Sequence, residues 1–417
     1  MNGLKLAAVA WRNLWRNRRR TIVTLSSIVF GFLLAVLFTG LGDHTYSKMI
    51  DLAARMGGGH VTLQHADYLD RPSIKRTVRG AATLQRLALQ GGTIKRATTR
   101  ITGQAMLAAG GKSYGAIFIA IDPRAEDKQT LSVLGTVKEG RLFEGTTGRG
   151  VVLGQKLARN LGLKLGRKVV WTMTDKRGEI VTELSRVTGI IRSGSPTLDA
   201  SLCVLPIDTV RLALGYAEDE ATQVALFIAD QRDSAGVARR LRQRLPPANL
   251  AVVTWGENLP ELASFISMKV GSTLFFELII AILVAAGIFN TLFVSVMERL
   301  REFGIMMAIG FSPRKLFSLV MWESLWIGLV GLLAAGVVTA GPYYLLNTKG
   351  LDMTEMVGKG GTSEIAGVAI DPVMYVAIYP ESLLLISMAV LLATLLSGIY
   401  PAWRAGRVAP VESIKLV

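Results

Sequence analysis

The stretch WRNLWRNRRRTIVTLSSIVFGFLLAVLFTGL, residues 11–41, joins a basic segment to an apolar run and decides the fold class. Residues 21–41 have no charged side chain, and about 20 such residues span the roughly 30 Å hydrocarbon core of a bilayer as a helix. Three further runs share this property, and they cover residues 278–297, 324–348 and 382–403. The sequence therefore predicts a membrane protein with four transmembrane α-helices.

The distribution of lysine and arginine predicts the orientation of these helices, because short cytoplasmic segments retain basic residues. Basic residues precede the first run, separate the second from the third, and follow the fourth. The loop 347–381 instead has more acidic than basic residues. We therefore expect a multi-pass protein of the inner (cytoplasmic) membrane with both termini in the cytoplasm and residues 43–269 outside it.

Residues 43–269 read as one mixed α/β domain. Strand-like patterns occur at residues 60–64, 115–121, 168–174 and 223–229, and helical periodicity occurs at 82–90 and 234–245. The glycine-rich breaks at 57–59, 110–111 and 148–150 indicate turns. Together with the apolar runs, these patterns give a division into 1–20 (cytoplasmic interfacial helix), 21–42 (first span), 43–269 (outer domain), 270–297 (second span), 298–312 (cytoplasmic helix), 313–346 (third span), 347–381 (outer loop), 382–403 (fourth span) and 404–417 (cytoplasmic tail).

Composition excludes several function classes. The net charge of +16 is explained largely by topology, and no basic stripe alternates with aromatic residues, so we expect no nucleic-acid partner. GGKS at 110–113 lacks the first glycine of an ATP-binding P-loop, since Met106 stands there, and a turn is favoured. His44, His60 and His65 match no metal-ligand spacing. Cys203 is the single cysteine, so no internal disulfide can form.

Small residues recur every four positions in three of the predicted spans. They are Ser27, Gly31, Ala35 and Thr39 in the first, Gly331, Ala335 and Thr339 in the third, and Ala389, Ala393 and Ser397 in the fourth. Such faces let helices approach closely in lipid. They fit either a dimer of permease chains or packing inside one chain.

Two acidic residues border or enter the apolar runs, where a charge is costly. Glu277 lies at the outer end of the second span, and we expect its carboxylate to reach the headgroups. Glu323 lies about 15 Å along the helix that starts near Pro313, counted at 1.5 Å per residue. We expect Glu323 to face protein and to bond a neighbouring helix.

Two segments outside the spans have amphipathic patterns. Leu4, Ala8, Trp11 and Trp15 recur at helical spacing, which is typical of a helix lying in the inner interface, although a merely basic flank would also fit. In MERLREFGIMMAIGFSPRKL, residues 297–316, the positions Leu300, Phe303, Met307 and Ala308 line one helix face. Gly310 suits a C-terminal cap, and Ser312 before Pro313 suits an N-cap of the next helix.

At these residues the sequence resembles a known family. ERLREFGIMMAIGFSPRKL, the pattern E-x4-G-x2-G at Glu323, Gly328 and Gly331, the start AWRNLWRNRRRT and the ending YPAWRAGRVAPVESIKL are similar to FtsX-like permeases of ABC transporters. The resemblance implies that the segment after the second span is a coupling helix received by a separate cytoplasmic ATPase dimer. It assigns that role to Glu298, Arg301, Glu302, Gly304, Met307 and Gly310.

Within that family, residues 57–73 and 189–215 are more similar to lipoprotein-releasing (Lol-type) permeases than to the macrolide-exporter type. The resemblance implies extraction of a lipoprotein or other amphiphile from the outer leaflet by mechanotransmission, with a second permease subunit and a periplasmic acceptor as partners. ATP and Mg²⁺ would be bound by the ATPase, and this chain would be non-catalytic, without a cofactor or metal. A regulator that activates a cell-wall hydrolase and a MacB-like exporter are the alternatives.

Overall fold

A computed structural model describes residues 3–245, 249–353, 364–365, 368–369 and 373–407. The predicted tail lies outside the described residues from position 408 on, as does most of the loop segment 354–372. The chain divides into two compact units. The helical unit comprises Met1–Thr45, Ser267–Asp352 and Val373–Val417, and the α/β domain comprises Tyr46–Ile266 and Met353–Pro372.

The described α-helices are, in chain order, α1 (Gly3–Arg16), α2 (Arg18–Met56), α3 (Ala81–Leu89), α4 (Gln155–Leu161), α5 (Pro196–Ser201), α6 (Ile207–Leu214), α7 (Ser234–Arg244), α8 (Trp255–Asn258), α9 (Pro260–Glu298), α10 (Leu300–Ala308), α11 (Pro313–Thr348) and α12 (Pro380–Ala405). By length and composition, α2, α9, α11 and α12 can cross a membrane. The four predicted membrane helices are therefore confirmed as helices.

Helices α2 and α9 extend well beyond the apolar runs. α2 continues to Met56, and α9 begins at Pro260, so each has 39 residues. Charged residues such as Asp43 and Lys48 end the apolar run, but they do not end the helix, since charged side chains are good or neutral helix formers on an exposed face. The predicted boundaries of the outer domain at 43 and 269 therefore fall inside continuous helices.

The described strands are β1 (Val61–His65), β2 (Val78–Arg79), β3 (Ile94–Ala109), β4 (Lys112–Ile121), β5 (Val137–Gly140), β6 (Gly150–Gly154), β7 (Lys168–Thr174), β8 (Ile180–Ile191), β9 (Leu202–Pro206), β10 (Glu220–Ala221), β11 (Gln223–Ile228), β12 (Leu250–Thr254), β13 (Leu351–Asp352), β14 (Glu364–Ile365), β15 (Val368–Ala369) and β16 (Val373–Met374). Each strand and helix predicted in the α/β domain is present.

Ten strands of the α/β domain form one mixed sheet, in which nine follow the order β12-β1-β11-β3-β4-β9-β6-β8-β5 and β7 lies off this path. β7 pairs with both β8 and β3, so the strands from β3 through β4, β9, β6, β8 and β7 form a closed ring. Fully buried side chains fill the core, among them Trp171, Phe118, Leu63 and Ile101. The long strand β3 belongs to both the ring and the open part of the sheet.

The GGKS segment forms the turn of the β3–β4 hairpin. Ala109 pairs with Lys112, and Gly110 and Gly111 between them have φ angles of 54° and 79°. Two consecutive residues with positive φ are the mark of the hairpin turn that favours glycine. The prediction of a turn at this position is confirmed.

Two neighbouring strands connect to the two longest helices. β1 follows α2 after the three glycines at 57–59, and β12 precedes α8 and α9. β1 and β12 pair antiparallel, with Val61 opposite Thr254. Within the α/β domain the adjoining helix ends also pack together, through Met49, Ala53 and Leu262. The two longest helices therefore lead directly into neighbouring strands of one sheet.

Most small residues of the predicted faces are buried or half-buried inside this chain, whereas Ala389 is exposed. A side chain at Gly31 would overlap Val284 of α9, and one at Gly331 would overlap Ile28 of α2. Ala35 and Ala335 are buried in one cluster. Gly31, Ala35, Gly331 and Ala335 therefore support close packing within one chain, and a contact between two permease chains through exposed Ala389 stays a prediction.

Candidate functional site: a charged junction between helices

The segment between α9 and α11 is built of two tight breaks around a short helix. Arg299 alone separates α9 from α10. At the other end Gly310 has φ 100°, its N–H donates to Met307 O at 3.0 Å, and Phe311 N–H donates to Met306 O at 3.0 Å. These paired bonds form a Schellman cap, which requires the left-handed conformation that glycine tolerates. The predicted capping role of Gly310 is confirmed.

Ser312 occupies the predicted N-cap position of α11, but its hydroxyl accepts no capping bond. The N–H of Lys315 donates instead to the carbonyl oxygen of Ser312 at 2.9 Å. Because the backbone already satisfies that donor, the side chain is not needed. The helix start was predicted correctly and the capping bond was not.

A buried ion pair joins the first break to α11. Arg299 Nη1 donates to Glu323 Oε1 at 3.0 Å and to Oε2 at 3.2 Å. The side chains are 8% and 9% exposed. Asn13 Nδ2 of α1 also donates to Glu323 Oε1, at 2.7 Å. Glu323 thus faces protein and bonds neighbouring helices, as the sequence predicted.

The pair continues outward into exposed charges. Arg299 Nε donates to Glu302 Oε2 at 3.1 Å, and Arg16 Nη2 donates to both oxygens of Glu302 at 2.8 and 2.9 Å. Arg20 Nη1 reaches Glu298 Oε2 at 3.3 Å. We call this set the charged junction, and its members are Asn13, Arg16, Arg20, Glu298, Arg299, Glu302 and Glu323. Its bonds form two groups: one links α1, α10 and α11 through Arg299, and the Arg20–Glu298 pair links α2 to α9.

An apolar cluster surrounds the buried part of the junction. Phe303 is fully buried, and the Arg299 guanidinium lies 5.2 Å from the centre of its ring. Leu316 of α11 and Ala402 of α12 are also fully buried in this cluster. Trp326 Nε1 donates to Ala7 O at 3.1 Å, which fixes α1 against α11. α10 is therefore held by apolar packing as well as by charge.

The bonds of the junction shift the pKa values of Arg299 and Glu302 in opposite directions. Burial alone would lower the pKa of Arg299, but Glu323 and Glu302 outweigh it and raise the pKa above its usual value. Desolvation raises the pKa of Glu302, but hydrogen bonds from Arg16 and Arg299 outweigh it and lower the pKa below its usual value. Both residues therefore stay charged at neutral pH.

The predicted coupling residues divide between the two faces of α10. Glu298, Arg301 and Gly310 are exposed, Glu302 and Met307 are half-buried, and Gly304 is buried. Ala308, predicted to share the apolar face, is exposed, and Gly304 takes its place in the packed interior. The exposed and half-buried members are accessible to a partner, whereas Gly304 is not.

Sequence reasoning missed several residues of this region. Asn13 and Arg16 lie about 300 positions from their partners along the chain, so no local pattern indicates the contacts. Arg299 was counted only as a basic flanking residue. Ile305 of α10 and Ile309, directly after this helix, are exposed, at 48% and 77%. The sequence pattern could have predicted them, because two isoleucines on the side opposite Phe303 place apolar side chains on the otherwise polar face of the helix.

The helix α1 has two distinct faces. Leu6, Ala10 and Leu14 are buried, whereas Trp11 and Trp15 are exposed. Ala8, Trp11 and Trp15 of the predicted interfacial stripe therefore lie on the exposed face. The other face packs against α11, a contact that the amphipathic pattern alone did not predict.

Glu277 lies away from the junction. Its Oε1 accepts a hydrogen bond from Thr39 Oγ1, so the carboxylate joins α9 to α2. Its contact with the headgroups stays a prediction.

Comparison with known proteins covers nearly all of the chain. The model of the FtsX-like permease C-terminal region matches residues 274–410, and the model of the MacB-like periplasmic core domain matches residues 21–244. The charged junction from Glu298 to Glu323 lies inside the first match. The second match includes α2 and most of the α/β domain.

Curated relatives match at low identity over long stretches. The lipoprotein-releasing system transmembrane protein LolC of Xylella fastidiosa is 26% identical over 345 residues, which is 79% of each chain. The corresponding LolE of Haemophilus influenzae is 24% identical over 425 residues, 97% of each chain. The solved periplasmic region of MacB from Actinobacillus actinomycetemcomitans is 18% identical with a TM-score of 0.34, covering 50% of this chain and 94% of that one.

Proposed function

Because the chain belongs to the ABC transporter permeases that combine a MacB-like periplasmic core domain with an FtsX-like C-terminal region, we propose that it is a mechanical transmission subunit. In this proposal a separate cytoplasmic ATPase acts on α10, and the chain uses that motion to extract lipoproteins or similar amphiphiles from the outer leaflet of the inner membrane. The ATPase binds ATP and Mg²⁺, and this chain has no catalytic part in their chemistry.

The observation that supports this proposal most strongly is the charged junction. α10 begins directly after Arg299 and bonds it through Glu302, so a shift of α10 relative to α11 strains the Arg299–Glu323 pair. Removing one partner of such a buried pair costs about 3–5 kcal/mol. Movement of α10 together with α11 keeps the pair intact. A push on α10 is therefore passed to α11 as a rigid body.

A second route passes through α9 and α2. α9 is continuous from Glu298 to Pro260, and α2 is continuous from Arg18 to Met56. Arg20 of α2 bonds Glu298 at the end of α9, so both helices are linked at the junction. At their other ends they lead into β12 and β1, which are paired strands. This path connects α10 to the sheet of the α/β domain.

The free energy needed to extract an acylated cargo from the bilayer explains why the motion of an ATPase has to be transmitted to the α/β domain. An acyl chain is held in a bilayer by about 0.8 kcal/mol per buried methylene, so a cargo with two or three chains does not leave spontaneously. ATP hydrolysis by the partner supplies the work. The relatives named as parts of lipoprotein-releasing systems support this choice of cargo.

The exposed face of α10 is the proposed docking surface for the ATPase. It presents Glu298, Arg301, Ile305 and Ile309, a mixture of charge and apolar surface. Permeases of this family work with an ATPase and a second permease subunit. We propose that the second subunit is a copy of this chain or a related chain, and that both termini are cytoplasmic.

Purification from native membranes tests the docking surface. We expect the variant Arg301→Glu with Ile305→Asp to lose the co-purifying ATPase, and the control Lys168→Glu, at an exposed position of β7, to retain it. Mass spectrometry identifies the ATPase and any lipidated protein. A cysteine at position 301 that reacts with a membrane-impermeant maleimide on intact cells would place α10 on the outside and refute the proposal.

A further inference from the structure

A cavity of about 560 Å³ lies in the α/β domain next to the ends of two helices. Ala53 and Met56 of α2 and Trp255 of α8 line it on one side, and Ile117 of β4 and Leu198 of α5 line it on the other. Ligand sites typically measure about 300–1,000 Å³ and are largely apolar with a few placed polar groups. The cavity therefore has the size and lining of a ligand site.

One polar side chain in this cavity has a buried donor without a partner. Gln64 is 1% exposed, lines the cavity, and its Nε2 has no hydrogen-bond acceptor in the described structure. Alternation along β1 explains its direction, because Val61 and Leu63 fill the core on the opposite face of the sheet. A buried unpaired donor costs about 1–3 kcal/mol, so its retention points to an acceptor supplied from elsewhere.

The lining also restricts the charge of that acceptor. None of the residues described as lining the cavity is acidic or basic. A carboxylate or phosphate would be desolvated there without a counter-charge, which is strongly unfavourable. A neutral carbonyl oxygen attached to a hydrocarbon chain satisfies both the Gln64 amide and the apolar walls.

We propose that this cavity binds the acyl chain of a lipid or lipidated cargo, and that the Gln64 side chain turns so that Nε2 donates a hydrogen bond to the ester or amide carbonyl. The cargo interpretation rests on the transport function proposed above, whereas the acyl site itself does not. The cavity wall includes the last turn of α2 and the segment that leads into α9. Motion of these helices changes the shape of the cavity. Binding and release of the acyl chain are thereby coupled to the ATPase.

Photolabelling of the full chain in lipid nanodiscs tests the site. The probe is monopalmitoylglycerol with a diazirine on its acyl chain, and labelled peptides are mapped by mass spectrometry. We expect label on residues 68–72, 117–119 and 197–202. We expect Ile117→Trp to abolish this labelling by filling the cavity, and the control Leu212→Trp, which is exposed on α6, to leave it unchanged.

Gln64→Met keeps the volume and removes the donor. We expect it to weaken probe binding about tenfold, the factor for one hydrogen bond of about 1.4 kcal/mol, without lowering the thermal midpoint. Retained labelling with Ile117→Trp, label confined to α2, α9, α11 and α12, or unchanged binding with Gln64→Met would overturn the proposal.

Competition distinguishes the two sources of the acyl group. Displacement of the probe by an N-palmitoylated lipopeptide but not by excess phosphatidylethanolamine assigns the site to cargo, and the reverse assigns it to bilayer lipid. Failure of both competitors to displace the probe would refute an acyl site. Labelling needs neither nucleotide nor ATPase, so its failure leaves the docking test at Arg301 unaffected, and the converse also holds.

Discussion

The buried Arg100–Glu126 pair of the α/β domain and the Arg299–Glu323 pair of the helical unit differ in how completely they are satisfied. Arg100 donates from Nε to Glu126 at 2.6 Å, from Nη2 to Glu126 at 2.9 Å and to Thr130 O at 2.7 Å, and from Nη1 to Gly57 O. Both side chains are 0% exposed. In Arg299, by contrast, Nη2 is buried without a partner.

The two pairs also differ in their connection to solvent. Arg100 is enclosed and anchors Gly57, directly after α2, to the sheet. Arg299 is continuous with half-exposed Glu302 and Arg16, so an external contact can act on it. The comparison indicates that a closed pair fixes geometry, whereas an incompletely satisfied pair that reaches the surface can respond to a partner.

Removal of Arg100 should have the largest effect on stability. Arg100→Met leaves Glu126 buried without a counter-charge, and we expect a loss of about 3–5 kcal/mol in the α/β domain. Hydrogen exchange of the β3 amides in the full chain, measured by mass spectrometry at increasing denaturant, gives this loss. Exposed Arg124→Met is the control. A loss below about 1 kcal/mol would show that the pair is no anchor.

The equivalent change in the helical unit should cost less. For Arg299→Met we expect about 3 kcal/mol, the lower end of the range for a broken buried pair, because Glu323 keeps its bond from Asn13. A double-mutant cycle with Glu323→Leu, followed by unfolding in mixed micelles, measures the coupling. Arg301→Met, on the exposed face, is the matched control. If the losses caused by Arg299→Met and Glu323→Leu were strictly additive, the two side chains would contribute independently. Arg299 would then behave like the control residue Arg301.

The cap of α10 comes next in size. Gly310→Ala places a side chain at φ 100° where no atom lies within 4 Å of the added carbon. The cost is therefore backbone strain alone, about 1–2 kcal/mol. Hydrogen exchange of the amides in α10 should rise, and Gly336→Ala, in open space within α11, should leave it unchanged. Equal exchange in both variants would contradict the role of the cap.

The outermost pair should contribute least. For Arg16→Gln we expect a loss of about 0.2–1 kcal/mol that vanishes at high salt, because both partners are about half exposed.

The pKa of Glu302 is depressed, so its contribution to stability is present above the unfolded value of about 4.3 and is lost as the pH falls through the lower folded value. Glu302→Gln should flatten thermal stability in that acidic window, and an unchanged profile would contradict the assignment.

The sequence was informative wherever a local pattern has a physical period. Apolar runs predicted the four long helices, alternation predicted strands such as Lys168–Thr174 with correct bounds, and the cost of a buried charge predicted that Glu323 bonds a neighbour. The extension of α2 to Met56 was missed because hydropathy identifies the part of a helix that can lie in the membrane and does not show where the helix ends.

The missed features depend on contacts between distant parts of the chain. The closure of the ring through β7 and β3 depends on the register of Met106 with Thr172, which no single strand pattern specifies. Arg299 looked like any basic residue that flanks a span. Its burial follows only once α1, α10 and α11 are packed around it.

The amount of cargo released per ATP hydrolysed by the reconstituted complex tests the central claim most directly. For Glu323→Gln, which keeps the shape but removes the charge that holds Arg299, the account predicts that the ATPase still assembles and hydrolyses ATP. Release per ATP should fall at least tenfold. Unchanged release per ATP, with the variant correctly folded, would contradict transmission through the charged junction.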